Sequence, residues 1–303
     1  MGAVRALGLK WVLIPVEDIL ASRERIRSAD LVIEHADTYR GRGDLRPLVR
    51  HWIEAWGGRL AGAPAAAAQV ADDKIEAQAR LKDAGLRVPR SRVLDPMSVD
   101  GARGLRFPLV LKEPFEHGSR GVKLARTRKA LGAWRRRSRA AGVVLAEEFV
   151  EGREIAVSVV EVNGHPRALP AVEVLLEARG IYSPRIKWGP GALPIAPARL
   201  DLRGAQRVAS ACLRAFEVLR LRDYARFDLR LGAGGEPCFL EANARPSVEE
   251  GTELRLAAEL VRIPFPDLLL EILRNAARRH GDRALLRRLP PGRTRVSRTR
   301  RRP

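Results

Sequence analysis

The chain has 303 residues, 46% hydrophobic and 5% aromatic, which suffices for two or three modules with their own cores. No apolar run reaches the roughly 18 residues of a membrane helix, and MGAVRALGLKWVLIPV lacks a secretory cleavage site, so no membrane span and a cytoplasmic location are expected. The net charge of +20 invites a nucleic-acid partner, yet only seven of the 56 basic residues are Lys, and twelve Arg against the single acid Asp282 fall between Arg274 and the end; charge alone therefore does not establish that partner.

In chain order, WVLIPV (11–16) and ADLVIEH (29–35) read as strands around a short helical stretch, a small α/β unit over 1–70. Leu45–Trp56 reads as a helix, followed by an Ala/Gly-rich loop, Gly57–Ala68. Asp72–Gly85 is expected to be helical, with Asp72 and Asp73 near its start and Gly85 as its stop. VPRSRVL then opens a second unit with a strand, FPLVLK (107–112) is a buried strand, Arg128–Arg139 a basic helix and VVLAEEFV (143–150) a strand. REIAVSVVEV (153–162), an NGHP turn and ALPAVEV (168–174) follow. Ala205–Leu219 is a helix leading into a hairpin, and Arg255–Arg278 is helical but broken near Pro264 and Pro266. Hairpin-joined strands with helices on one side make the middle of the chain α+β, behind an α/β start. The basic stretch 276–303 reads as a disordered tail, largely so after about Leu289. Cys212 and Cys238 lack metal-ligand spacing, and a reduced compartment fits them.

The hairpin YARFDLRLGAGGEPCFLEANARP (224–246) carries the most specific chemistry. With Gly234-Gly235 as a two-residue turn, Asp228 sits opposite Glu241, and Asn243 shares their face. Opposed carboxylates repel across a sheet; a divalent cation bound by their hard oxygens would turn that repulsion into attraction. The plain alternative is that both acids face water. In LKEPFEHGSRGVKL (111–124), Lys112 precedes a loop containing Gly118, Ser119 and Gly121, which suits phosphate but also suits an ordinary glycine-rich turn. LAEEFVEGREI (145–155) clusters Glu147, Glu148, Glu151 and Glu154, and IYSPRIKW holds Lys187. In so Arg-biased a chain, Lys74, Lys112 and Lys187 mark positions where Arg would not serve.

Taken in order, Lys74, Lys112 before GSRGV, EEFVEGRE, Lys187, RFD and LEAN resemble the ATP-grasp superfamily, and within it the D-alanine–D-alanine ligases, from about Asp73 to about Leu270. The resemblance implies an ATP-grasp domain over 71–275, divided into a nucleotide-clasping part (71–150) and a central part (151–275). It implies ATP and Mg²⁺ (or Mn²⁺), small-molecule substrates such as an amino acid or other carboxylate plus an amine, and a homodimer as a candidate assembly. Lys74 and Lys112 would contact the nucleotide, Glu147 with the backbone of Phe149 and Val150 would hold adenine, and Glu154 would take the ribose hydroxyls. Gly118, Ser119 and Gly121 would close over the phosphates, with Lys187 and Arg226 neutralising the transferring phosphoryl group. Asp228, Glu241 and Asn243 would hold the metal. Thr252 would be a substrate-binding hydroxyl, and Ser247 stands where the family has a glycine.

The reaction so implied is attack of a substrate carboxylate on the γ-phosphate, then displacement of phosphate from the acyl phosphate by an amine. The amino-terminal unit departs from the family. Its PVEDILASRER and EHADTYRGRGDLRP keep only His35 and Gly43-Asp44 of the expected substrate loop, and Glu17 is the one candidate for a missing acid. Two other readings stand beside the ligase: a non-catalytic ATP-binding protein whose basic tail docks a partner, and a nucleic-acid-binding protein.

Overall fold

The computed structural model describes residues 2–94, 102–118, 120–137, 142–175 and 195–290, and it arranges them around three sheets. The amino-terminal unit contains α1 (Gly2–Ala6), α2 (Arg23–Ser28), β1 (Val32–Ile33), α3 (Arg46–Ala55) and β2 (Leu60–Ala61). Its sheet is no more than β1 paired in parallel with β2. The strand expected at WVLIPV does not form: Leu9–Pro15 is irregular, and Val12 and Leu13 are 71% and 67% exposed. An extended segment becomes a strand only where a neighbour accepts its hydrogen bonds, and none does so among the described residues. The expected loop 57–68 is also corrected, because it contains β2 and the start of α4 (Ala65–Asp72).

The helix expected from Asp72 to Gly85 is interrupted at its first turn. Asp73 leaves helical geometry and caps α5 (Lys74–Asp83), accepting from the backbone N–H groups of Ile75 and Glu76 at 2.9 and 3.3 Å. Gly85, at φ +78°, ends the helix in the left-handed conformation that favours glycine. Both helices pack Ala67, Ala68, Ala71, Ala77 and Leu81 into the core of the large sheet. Residues 65–83 thus belong structurally with the central part of the chain, not with the small sheet that follows.

That small sheet has the order β3 (Ser91–Leu94), β6 (Val144–Glu148), β4 (Leu109–Lys112), β5 (Lys123–Ala125), with α6 (Arg128–Arg137) packing Leu131 beneath it. The large antiparallel sheet runs β10 (Ile195–Pro197), β9 (Val172–Val174), β7 (Arg153–Val162), β11 (Tyr224–Leu231), β12 (Pro237–Asn243), with β8 (His165–Ala168) also on β7. Its faces are covered by different helices. On one lies α7 (Leu202–Val218), capped by Asp201, whose Val208, Cys212, Ala215 and Phe216 recur at helical spacing and are buried. On the other lie α8 (Glu253–Leu260) and α9 (Phe265–Arg279), packing Leu254, Ala257, Leu268 and Ile272 against Val160 and Tyr224. Cys212 and Cys238 are both buried free thiols.

The tail expected from residue 276 is corrected. α9 continues to Arg279, and α10 (Arg283–Arg288) follows, capped by Asp282 and seated through the buried Leu285 and Leu289. Burying such leucines contributes about 1.5–3 kcal/mol each, enough to order a basic segment. Residues 291–303 lie outside the described residues.

Candidate active site

The site lies where the small sheet faces the β11–β12 hairpin. Asp228 pairs with Glu241 and Arg226 with Asn243, as the hairpin pattern requires, but the register arises differently. The connection is the five-residue loop Gly232–Glu236, with Leu231 opposite Pro237, and not a two-residue Gly234-Gly235 turn. A bulge that skips Leu240 then shifts the pairing by one and restores Asp228 to Glu241.

The acids on this face are answered by cations. Arg226 donates to both oxygens of Asp228, at 2.7 and 3.0 Å, and to Glu253 at 3.0 Å. Burial opposes its charge, but Asp228 and Glu253 hold the guanidinium well above its ordinary pKa. Glu241 Oε1 lies 3.5 Å from Lys74 Nζ and 3.3 Å from His117 Nδ1. Burial would raise its carboxyl, yet Lys74 and His117 hold it well below the usual carboxylate range, so it is an anion at neutral pH.

Across the cleft, β4 ends in Lys112, whose Nζ is 2.8 Å from Glu147 on β6. Burial disfavours the ammonium, but Glu147 outweighs it and raises the Lys112 pKa. Glu147 also accepts from Gln78 Nε2 at 2.7 Å. Phe149 and Val150 follow β6 as a strap. Arg230 of β11 places its guanidinium 4.6 Å from the Phe149 ring centroid, donates to the Val150 carbonyl at 3.0 Å, and meets Glu154 at 2.9 Å. Burial raises the Glu154 carboxyl despite that contact.

The residues expected to act together therefore largely do meet. Lys74, Lys112, Glu147, Phe149, Val150, Glu154, Arg226, Asp228, Glu241, Asn243 and Gly118 line one cleft. Lys74 does so as an anchor: its Nζ donates to the carbonyls of Pro114 and Glu116, tying the glycine loop to α5. Gly121, at φ +70°, closes that loop beside Glu113. Ser247 and Thr252 do not line the cleft. Thr252 is nearly buried at the start of α8 and donates to the Glu249 and Ser247 carbonyls at 2.7 and 3.2 Å. Glu17 is exposed and is likewise absent from the cleft. Ser119 and Lys187 lie outside the described residues. A larger open basin, about 950 Å³, lies by the Gly232–Gly235 turn; Glu151 lines it, but none of the residues expected to bind nucleotide, metal or substrate does.

Sequence reasoning missed His117, Arg230, Gln78 and Glu253. Arg230 was within reach of the period-two pattern that places Arg226 and Asp228 on one face. Gln78 and Glu253 come from helices packed on the site, and no spacing in the sequence announces them. A second missed feature is the ion network joining the amino-terminal unit to this site: Glu34 with Arg50 at 2.7 Å and Arg245 at 2.5 Å, and Asp72 with Arg46 at 3.3 Å and with Arg245. All five side chains are buried.

The family described as D-ala D-ala ligase C-terminus matches residues 91–274. A D-alanine–D-alanine ligase of Desulforudis audaxviator is 33% identical over 238 residues, covering 76% of this chain and 77% of that one. The chain belongs to the D-alanine–D-alanine ligase family. Another such ligase, from Synechococcus, is 29% identical over 299 residues, covering 96% of this chain and 90% of its own. A crystal structure of the Bacillus anthracis D-alanine–D-alanine ligase superposes with a TM-score of 0.76 at 20% identity, covering 93% and 92% of the two chains. That likeness bears out the ATP-grasp, α+β architecture. Family membership favours a ligase over the non-catalytic and nucleic-acid-binding readings. No helix among the described residues is long and apolar enough to cross a membrane.

Proposed function

We propose that this chain couples ATP cleavage to the joining of two small amino acids, with D-alanine as both carboxylate and amine donor the first pair to test. The observation that carries the reading is the convergence in one cleft of a buried Lys112–Glu147 pair, the Phe149–Val150 strap with Glu154, and Arg226 over the Asp228–Glu241 pair. A nucleotide lying between the sheets would set its adenine at the strap, its ribose at Glu154 and its phosphates towards Lys112 and the glycine loop.

Asp228 and Glu241 suit a divalent cation. Their strands put them opposite each other, Asn243 adds a carbonyl oxygen on the same face, and Glu241 is held as an anion. Magnesium held there would neutralise charge on the phosphates. Arg226, kept protonated by Asp228 and Glu253, supplies fixed positive charge where the phosphoryl group transfers. No nucleophilic side chain is required. The first substrate's carboxylate takes the γ-phosphoryl group, ADP leaves, and the second substrate's amine displaces phosphate to form the amide.

The free volume of the cleft is about 100 Å³, below the roughly 300 Å³ at which ligand pockets begin. A nucleotide seated here therefore needs a wider cleft than this conformation offers, as in enzymes whose elements move on ligand binding. None of residues 1–70 lines the cleft, so substrate choice is not fixed by the nucleotide half. Phosphate release from ATP and Mg²⁺ with separate D- and L-amino acid pools tests the reading. ATP binding without turnover in any pool would return the non-catalytic alternative.

A further inference from the structure

We propose that His117 is a positioning residue of the cation seat, fixing the orientation of the Glu241 carboxylate. The proposal rests on the nucleotide and metal reading above and goes beyond it by naming a loop residue that aligns a metal-holding acid.

His117 belongs to the loop between β4 and β5, on the small sheet, whereas Glu241 belongs to β12 on the large one. The ring is 7% exposed, and its Nδ1 is 3.3 Å from Glu241 Oε1. Lys74 Nζ approaches the same oxygen at 3.5 Å. Both contacts fall on Oε1, and Oε2 accepts no hydrogen bond among the described residues, so the carboxylate is turned with one oxygen held and the other available. On the far side of the ring, Nε2 stands 3.7 Å from Asp72 Oδ1 and has no hydrogen-bond partner among the described residues. Asp72 is in turn fixed by Arg46 and Arg245. The imidazole is thereby wedged between the buried ion network and the hairpin.

The loop's backbone is pinned independently. Lys74 holds the Pro114 and Glu116 carbonyls, and Gly43 of the amino-terminal unit lies so close that a Cβ there would sit 2.5 Å from the Phe115 oxygen. His117 is thus carried to Glu241 by the same loop that would cover the phosphates. Without the imidazole, the ion pair with Lys74 at 3.5 Å would be the remaining contact to Glu241 Oε1 among the described residues, and the carboxylate would be freer to turn away from a bound cation.

The test is Mn²⁺ retention with ATP present, read by the electron paramagnetic resonance of free Mn²⁺, in wild type, His117→Ala and His117→Asn. Asn offers an amide N–H near the position of Nδ1. His117→Ala should weaken Mn²⁺ retention roughly tenfold, the order expected for losing a hydrogen bond to a charged group. His117→Asn should restore it to within about threefold of wild type on the same reasoning. Unchanged retention in His117→Ala overturns the proposal, as does an Asn variant that is as weak as Ala. Wild type that retains no Mn²⁺ with ATP defeats the functional reading itself, a result distinct from either.

Discussion

Arg279 donates from its two terminal nitrogens to the two carboxylate oxygens of Asp223, at 2.7 and 2.9 Å. The same guanidinium reaches the carbonyls of Leu60 and Gly62, and Asp223 also accepts from the Gly62 N–H at 2.6 Å. α9 is thereby clamped to the amino-terminal unit and to the start of β11. Asp223 is fully buried, so removing its partner strands a charge, a loss of about 3–5 kcal/mol. Arg279→Ala should lower the melting temperature by roughly 10 °C, measured calorimetrically. Truncation before residue 276 should be worse, because it also removes Leu285 and Leu289.

Acid should weaken the protein in two successive steps. Burial lowers the His35 pKa from 6.5 to about 4, and its ring lies 2.9 Å from the Tyr224 hydroxyl. The unfolded chain therefore takes up this proton first, and stability falls as pH drops from 6.5 towards 4. Burial opposes the Glu34 charge, but Arg245 and Arg50 lower its pKa from 4.5 to about 2. That contribution is fully present above pH 4.5 and is lost as pH falls towards 2. Each group accounts for about 3 kcal/mol by linkage. Denaturant midpoints at pH 7, 5.5 and 4.5 should show the gap between wild type and His35→Asn narrowing as pH falls; a constant gap would contradict the assignment.

Gly43→Ala should injure function more than stability. The added methyl would meet the Phe115 carbonyl at 2.5 Å, and a backbone oxygen can yield only by moving the glycine loop. A displacement near 1 Å at a positioning loop can lower the rate about a hundredfold. We therefore expect kcat/KM for ATP to fall ten- to hundredfold with little change in melting temperature. Normal turnover in this variant would show that the loop does not need the amino-terminal unit behind it.

Local chemistry made much of this legible in the sequence. β7 begins and ends where REIAVSVVEV does, because a β-branched-rich run bounded by turns suits a central strand buried on both faces. The Asp228–Glu241 pairing was also readable, although through two features that cancel: a longer turn and a one-residue bulge. WVLIPV misled because hydrophobicity reports a wish to be buried and not the presence of a partner strand. Composition places Asp73 near a helix start, whereas it ends one helix while capping the next, a distinction made by backbone angles. His117 and the Glu34–Arg245–Asp72 network were invisible, since their members lie as much as 211 residues apart and meet only in the folded core.

The central claim is that the hairpin carboxylates support ATP-dependent ligation. The most direct measurement is phosphate release from ATP and Mg²⁺ with D-alanine, comparing wild type with Asp228→Ala and Glu241→Ala. Wild type should release phosphate only when amino acid is present, and each variant should fall at least about a hundredfold, as losing a main electrostatic stabiliser of the transition state would require. A ligase rate that survives both substitutions unchanged would contradict the account.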